Sequence, residues 1–157
     1  MKWIYGRQDW KTLERGLENC YLLTNGLGGF SSLTMTGAVA RNDHSVFMSC
    51  TKAPNHRINM IHRMKEELDI GESKYVLSTQ EFADGTKEEG YRYLTEFSFE
   101  ILPSWRYLIN GIEIEKEIVM AQGSNQIAVN YHLKNRGQKE AALCVTPFFQ
   151  FEPKGKI

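Results

Sequence analysis

The sequence has no excess of charge of either sign: nineteen lysines and arginines stand against nineteen aspartates and glutamates over 157 residues. A nucleic-acid partner would normally show a basic surplus, so none is expected. The chain has only three cysteines, Cys20, Cys50 and Cys144, odd in number and far apart. That excludes a disulfide framework and points to a reducing, cytoplasmic setting, with each cysteine read as small core filler. No apolar run is long enough to cross a membrane, and the opening Met1-Lys2-Trp3-Ile4-Tyr5-Gly6 lacks the pattern of a signal peptide, so no membrane partner is expected. Gly-Lys-Ser/Thr, the mark of a phosphate loop, is missing too. His44, His56, His62 and His132 have no metal-ligand spacing, and no cysteine is near enough to supply it, so no metal or other cofactor is expected.

What remains is an ordinary globular composition, 41% hydrophobic and 24% charged. One domain spanning 1–157 is the natural reading, and a chain of this length buries roughly 70% of its unfolded surface. Turn signals come at short intervals. In Asn25-Gly26-Leu27-Gly28-Gly29-Phe30 three glycines fall within four positions, where the backbone must turn sharply or admit another group closely. Residues 20–24 enter this turn as a strand and 30–36 leave it as another, rich in β-branched, aromatic and small polar side chains. A dinucleotide fingerprint would need a third glycine where Ser31 stands, then a helix, and neither is there.

The segment Leu22-Leu23-Thr24-Asn25-Gly26-Leu27-Gly28-Gly29-Phe30 resembles the entry motif of the amino-terminal domain of bacterial and archaeal glycogen debranching enzymes, of the amylo-α-1,6-glucosidase type. That family's motif runs on through a small-residue strand to Arg-Arg-Tyr-His-Gly and an apolar strand. Here the chain reads Gly37-Ala38-Val39-Ala40-Arg41-Asn42-Asp43-His44-Ser45, then Val46-Phe47-Met48. Arg41 and His44 match; Asn42, Asp43 and Ser45 depart from the pattern.

Elsewhere the punctuation is mostly β. Asp9 is expected to cap a helix of no more than about two turns through Trp10, Leu13 and Leu17. Residues 45–50 read as a third strand. Residues 58–70 carry both helical spacing (Met60, Ile61, Met64, Leu68) and, around Gly71, the look of a hairpin; the hairpin is chosen. A polar loop is expected over 83–90. A strand follows in which Tyr91, Tyr93, Phe97, Phe99 and Ile101 share a face, ending at Pro103. Asn110-Gly111 joins strands 105–109 and 112–120, with Ile112, Ile114 and Ile118 inward and Glu113, Glu115 and Glu117 in water. Two further strands, 126–133 and 140–151, complete the pattern. Hairpins at this density argue an all-β, mainly antiparallel two-sheet sandwich.

Glycoside hydrolysis needs two carboxyl groups across the scissile bond. None of the acids here forms a recognisable pair: Glu66 and Glu67 are neighbours that a strand turns to opposite faces. No catalytic residue is assigned. Trp3, Trp10, Trp105 and Tyr107 could stack on sugar rings, but core positions suit them better. The resemblance implies a non-catalytic β-sandwich ahead of a helical-barrel catalytic domain, supporting or walling the site where α-1,6-linked glucose is removed. It implies α-glucan as the ligand, and Asn25, Gly28, Arg41 and His44 as substrate-contacting residues. For the same residues, simple turn fixing is an equal reading. Since the family domain has further strands, the stretch Phe151-Glu152-Pro153-Lys154-Gly155-Lys156-Ile157 is expected to close an incomplete sandwich, whose uncovered edge favours a homo-oligomer. A free-standing carbohydrate-binding or protein-interaction sandwich is the alternative.

Overall fold

The structure is a computed structural model that describes residues 1–154; residues 155–157, the end of the terminal stretch above, lie outside the described residues. Among the described residues the chain forms thirteen strands and a single four-residue α-helix, α1 (Leu13–Gly16). Five strands make the first sheet in the order β1 (Trp3–Gly6), β9 (Leu94–Phe99), β10 (Pro103–Ile109), β11 (Ile112–Met120) and β12 (Ile127–Asn135). The second runs β13 (Ala141–Pro153), β5 (His56–Ile70), β4 (Ser45–Lys52), β3 (Phe30–Ser32) and β2 (Leu23–Thr24), with β6 (Ser73–Val76) also paired to β5. A small ribbon of β7 (Thr79–Glu81) and β8 (Lys87–Glu89) stands apart from both. Neighbours pair antiparallel, so the all-β sandwich expectation holds.

Strand alternation explains how the sheets close on each other. In β11 Ile112, Ile114 and Ile118 are buried, and in β10 so are Ile109 and Tyr107, opposite Ile112 and Ile114, and Trp105, opposite Lys116. Each such side chain stabilises by about 1.5–3 kcal/mol through burial. The hairpin between these strands turns at Asn110 (φ 47°) and Gly111 (φ 79°), the left-handed pair that a two-residue turn requires. The core gathers Trp10, Leu33, Val46 and Leu68 with an aromatic group of Tyr21, Phe97 and Trp105. Both indoles are satisfied: Trp10 Nε1 donates to the Leu94 carbonyl and Trp105 Nε1 to that of Met35.

One charged pair lies inside this core. Lys116 of β11 reaches Glu66 of β5 with Nζ 2.5 Å from Oε1, and their side chains are only 4% and 3% exposed. The Tyr131 hydroxyl donates to the same oxygen at 3.1 Å, and the ammonium sits 5.0 Å from the Trp105 ring centroid. Burial and the nearby Glu66 carboxylate both push the Tyr107 and Tyr131 phenols above their ordinary range. Glu67, turned the other way, meets Lys65 and Lys74 at the surface.

Several sequence expectations are corrected. Thr12, not Asp9, caps α1 by accepting from the Arg15 amide, while Asp9 closes a short 3-10 turn by accepting from Gly6 N–H. Strands 20–24 and 30–36 shorten to β2 and β3; past β3 the Thr34 hydroxyl accepts from the Ala38 N–H in a local turn, and the Thr36 hydroxyl donates to the Gly16 carbonyl at the end of α1. The hairpin around Gly71 is present, but its first arm extends back to His56. The expected loop 83–90 contains β8, held against β7. Tyr91 falls in a 3-10 turn (Gly90–Arg92) and the strand starts at Leu94; Ile101, beyond it, is 82% exposed. Cys50 is buried as core filler, whereas Cys20 and Cys144 are exposed. Trp10, Trp105 and Tyr107 are core residues, and Trp3 is exposed.

Candidate functional site

Side chains at Leu68 and Glu66 of β5 point into the core, and β5 then changes parity near its middle. In the pairing with β13, Phe148 lies opposite Arg63 but Phe149 lies opposite Ile61, so His62 is an extra, bulged residue. The bulge aims His62 into an open groove of about 610 Å³ on the face of the second sheet turned away from the first. One wall is the turn Val39–Asn42, the other is Gln80 to Ala83 at the tip of the β7–β8 ribbon, and Gln150 and Lys154 form the far end.

The floor is held by a chain of hydrogen bonds. Asn59 Nδ2 donates to Gln150 Oε1 at 2.9 Å and lies 3.0 Å from His62 Nδ1, while Asn59 Oδ1 accepts from the Ser45 hydroxyl at 2.7 Å. Because Asn59 supplies the proton, His62 Nδ1 is the acceptor and its own proton sits on Nε2. Burial, aided by the Arg63 charge, holds this imidazole below its ordinary value, so it is neutral at neutral pH. Gln80 clamps the first wall by exchanging two bonds with Val39, accepting its N–H and donating to its carbonyl. Beside the groove Arg63 is sandwiched between the Phe82 and Phe148 rings, each 5.2 Å away, and its guanidinium binds Glu88, which also accepts from Ser78. β8, which the sequence hid as a loop, thus delivers the acid that fixes this stack.

The sequence-derived candidates separate into two places. Arg41 is exposed on the groove wall, and its guanidinium makes no hydrogen bond or ion pair with the described residues. His44 lies buried beneath the same turn, its backbone N–H donating to the Arg41 carbonyl. Its Nδ1 accepts from Ala40 N–H at 3.1 Å, leaving Nε2–H buried without a partner among the described residues. Burial lowers its pKa. Asn25 and Gly28 do not line the groove. Asn25 is fully buried and uses its whole amide: Oδ1 accepts from Leu27 and Gly29 N–H, and Nδ2 reaches Ser124 O and Asn125 Oδ1. Gly28 adopts φ +89°, and a Cβ there would stand 3.2 Å from Cys50 Sγ. This turn ties the second sheet to the loop between β11 and β12, and Arg57 Nε secures it through the Gly28 carbonyl.

Sequence reasoning missed Asn59, His62, Gln80, Phe82 and Gln150. Their types are unremarkable singly, and only the bulge and the strand order bring them together. The groove combines uncommitted donors on Arg41 and His62, one acid, Glu81, and an aromatic edge at Phe82. Such a mixture can bind hydroxyl-rich neutral ligands, with planar polar side chains serving adjacent hydroxyls and the ring packing on apolar C–H faces. Glu81 is itself 3.6 Å from Lys87. Among the described residues no group of three or more acidic, His or Cys side chains is placed to hold a metal ion, and no helix is long and apolar enough to cross a membrane.

Compared with known proteins, residues 19–156 match the family model described as glycogen debranching enzyme N terminal. No curated protein and no solved structure gives a significant match.

Proposed function

Because the chain belongs to the family of glycogen debranching enzyme N-terminal domains, we propose that it is the non-catalytic part of a glycogen-debranching-type glycoside hydrolase acting in the cytoplasm. In this reading residues 1–157 are one sandwich domain. It supports or walls the active site of an α-helical barrel supplied outside these residues, where α-1,6-linked glucose is removed at branch points. The observation that carries it is the groove beside Arg41, which offers donors and an aromatic edge to a glucan but only one acid, paired with Lys87. Hydrolysis with two flanking carboxyl groups has no second partner there. Arg41 and His62 contact the glucan, His44 holds the Arg41 turn from below, and Asn25 and Gly28 fix the entry turn between the sheets.

Electrophoresis of the purified chain through gels cast with glycogen tests the binding half, and glucose release from a branched limit dextrin tests the catalytic half. Expected is retardation that Arg41→Ala weakens, with no glucose released. Unretarded migration of a folded chain would overturn the groove as a glucan wall. Sustained release, abolished by changing one acid of this chain to its amide, would overturn the non-catalytic assignment.

A further inference from the structure

Among the described residues the two sheets end on the same side in unpaired strands. β12 is the last strand of the first sheet and β13 the last of the second, joined by a link so short that Asn135 Nδ2 donates to the Lys139 carbonyl. Consecutive and tightly linked, they run in opposite directions along the two lips of an open seam. Ile127, Val129 and Tyr131 on one lip and Ala141 and Leu143 on the other are only partly buried against the core. Towards the end away from the link the seam widens into a mostly apolar hollow, in which Phe47, Met60, Ile61, Ile127, Phe149 and Phe151 outnumber Asn125 and Gln126. The rings of Phe149 and Phe151 stack at 5.7 Å, yet they are 59% and 62% exposed.

Isolated sheets normally protect such edges with charge. β13 does not: from Ala141 to Phe151 it carries no charged residue. β12 is likewise uncharged until His132 and Lys134 near the link, and Glu140 sits at the same level at the start of β13.

We propose that a second copy of this chain closes the seam, about a two-fold axis running along the strands. Rotation about that axis lays β12 of each copy beside β13 of the other. Since β12 and β13 run oppositely, both new ladders are antiparallel, and each sheet continues into its partner's. One operation covers all four strand edges at the seam, β12 and β13 of each copy. The neutral stretches meet without like-charge contacts, Lys134 comes level with Glu140 of the other copy, and the Phe149–Phe151 stack is covered. The interface runs along the β12 and β13 edges, and of the groove's lining only Gln150 and Pro153 belong to β13, so it does not rest on the glucan reading.

Sedimentation velocity from low micromolar to submillimolar concentration tests it. Expected is a dimer whose dissociation constant rises by about tenfold or more in Phe149→Lys and Phe151→Lys, roughly 1.4 kcal/mol or more. Ile101→Lys, at an exposed position between β9 and β10, should leave it unchanged. Unaltered far-ultraviolet circular dichroism establishes that the lysine variants fold. Counted outward from the link, residues 132 and 144 lie level, so His132→Cys should give covalent dimers with native Cys144 on mild oxidation. A folded monomer at every concentration would overturn the proposal. So would a dimer indifferent to the phenylalanine changes, or one that forms no 132–144 crosslink.

Discussion

Replacing Lys116 by Met removes the cation from a site where Glu66 is 3% exposed and leaves its carboxylate with the Tyr131 hydroxyl as its remaining partner at 3.1 Å. An uncompensated buried charge of this kind costs about 3–5 kcal/mol. In a chain of this size each kcal/mol lowers the melting temperature by roughly 2–4 °C, so Lys116→Met should melt roughly 6–20 °C below the parent. Glu66→Leu, which strands the ammonium over Trp105, should cost a similar amount. Combining the two removes both charges at once, and the double variant should recover most of the loss, as apolar replacements of buried pairs generally do. Urea unfolding of the four proteins closes the cycle, with a coupling energy of several kcal/mol expected. Single losses below about 1 kcal/mol that simply add would refute the closed, dry inter-sheet contact described for β5 and β11.

Gly90→Ala should be far more damaging than Gly85→Ala, because a Cβ at Gly90 falls 1.7 Å from the Leu77 carbonyl oxygen while one at Gly85 meets nothing within 4 Å. Gly85, at φ +87°, bears only the left-handed strain of about 1–2 kcal/mol, so comparable urea midpoints would contradict the packing of Gly90 against the Leu77 and Ser78 backbone just ahead of β7. Stability should fall as pH is lowered. Burial holds the folded-state values of His44 and His62 below the ordinary 6.5, so the unfolded chain binds the extra protons. Their contribution is complete above that value and is lost as pH falls from it towards the folded-state values. His44→Gln should flatten this slope, and an unchanged slope would exclude His44 as its source.

Local chemistry made part of the fold legible. Asn110-Gly111 and the alternation of Ile112, Ile114 and Ile118 announce the β10–β11 hairpin within a dozen residues, because turn geometry and side-chain parity are set by near neighbours. Residues 58–70 were harder, since Lys65, Glu66 and Glu67 favour helix by propensity. Pairing with β13 on one side and with β4 and β6 on the other overrides that preference. The strand β8 was hidden by its charge, which is there to anchor Arg63.

The ion pair left a trace that could have been followed. Lys116 occupies the same parity as Ile114 and Ile118, and Glu66 that of Met64 and Leu68, so two opposite charges both point inward. Of the groove, Arg41 was found through a motif, whereas His62 owes its direction to a bulge. Its partner Asn59 bonds a residue 91 positions away, a distance over which no sequence spacing carries information.

Backbone amide chemical-shift mapping of the chain with a branched maltooligosaccharide tests directly whether the Arg41 side of the second sheet is a glucan-facing wall. Graded shifts should appear at Ala40 to Asn42, His62, Glu81 to Ala83 and Gln150, weaken in Arg41→Ala, and spare the amides of β11. No response at saturating saccharide, or shifts confined to the exposed face of the first sheet, would contradict it.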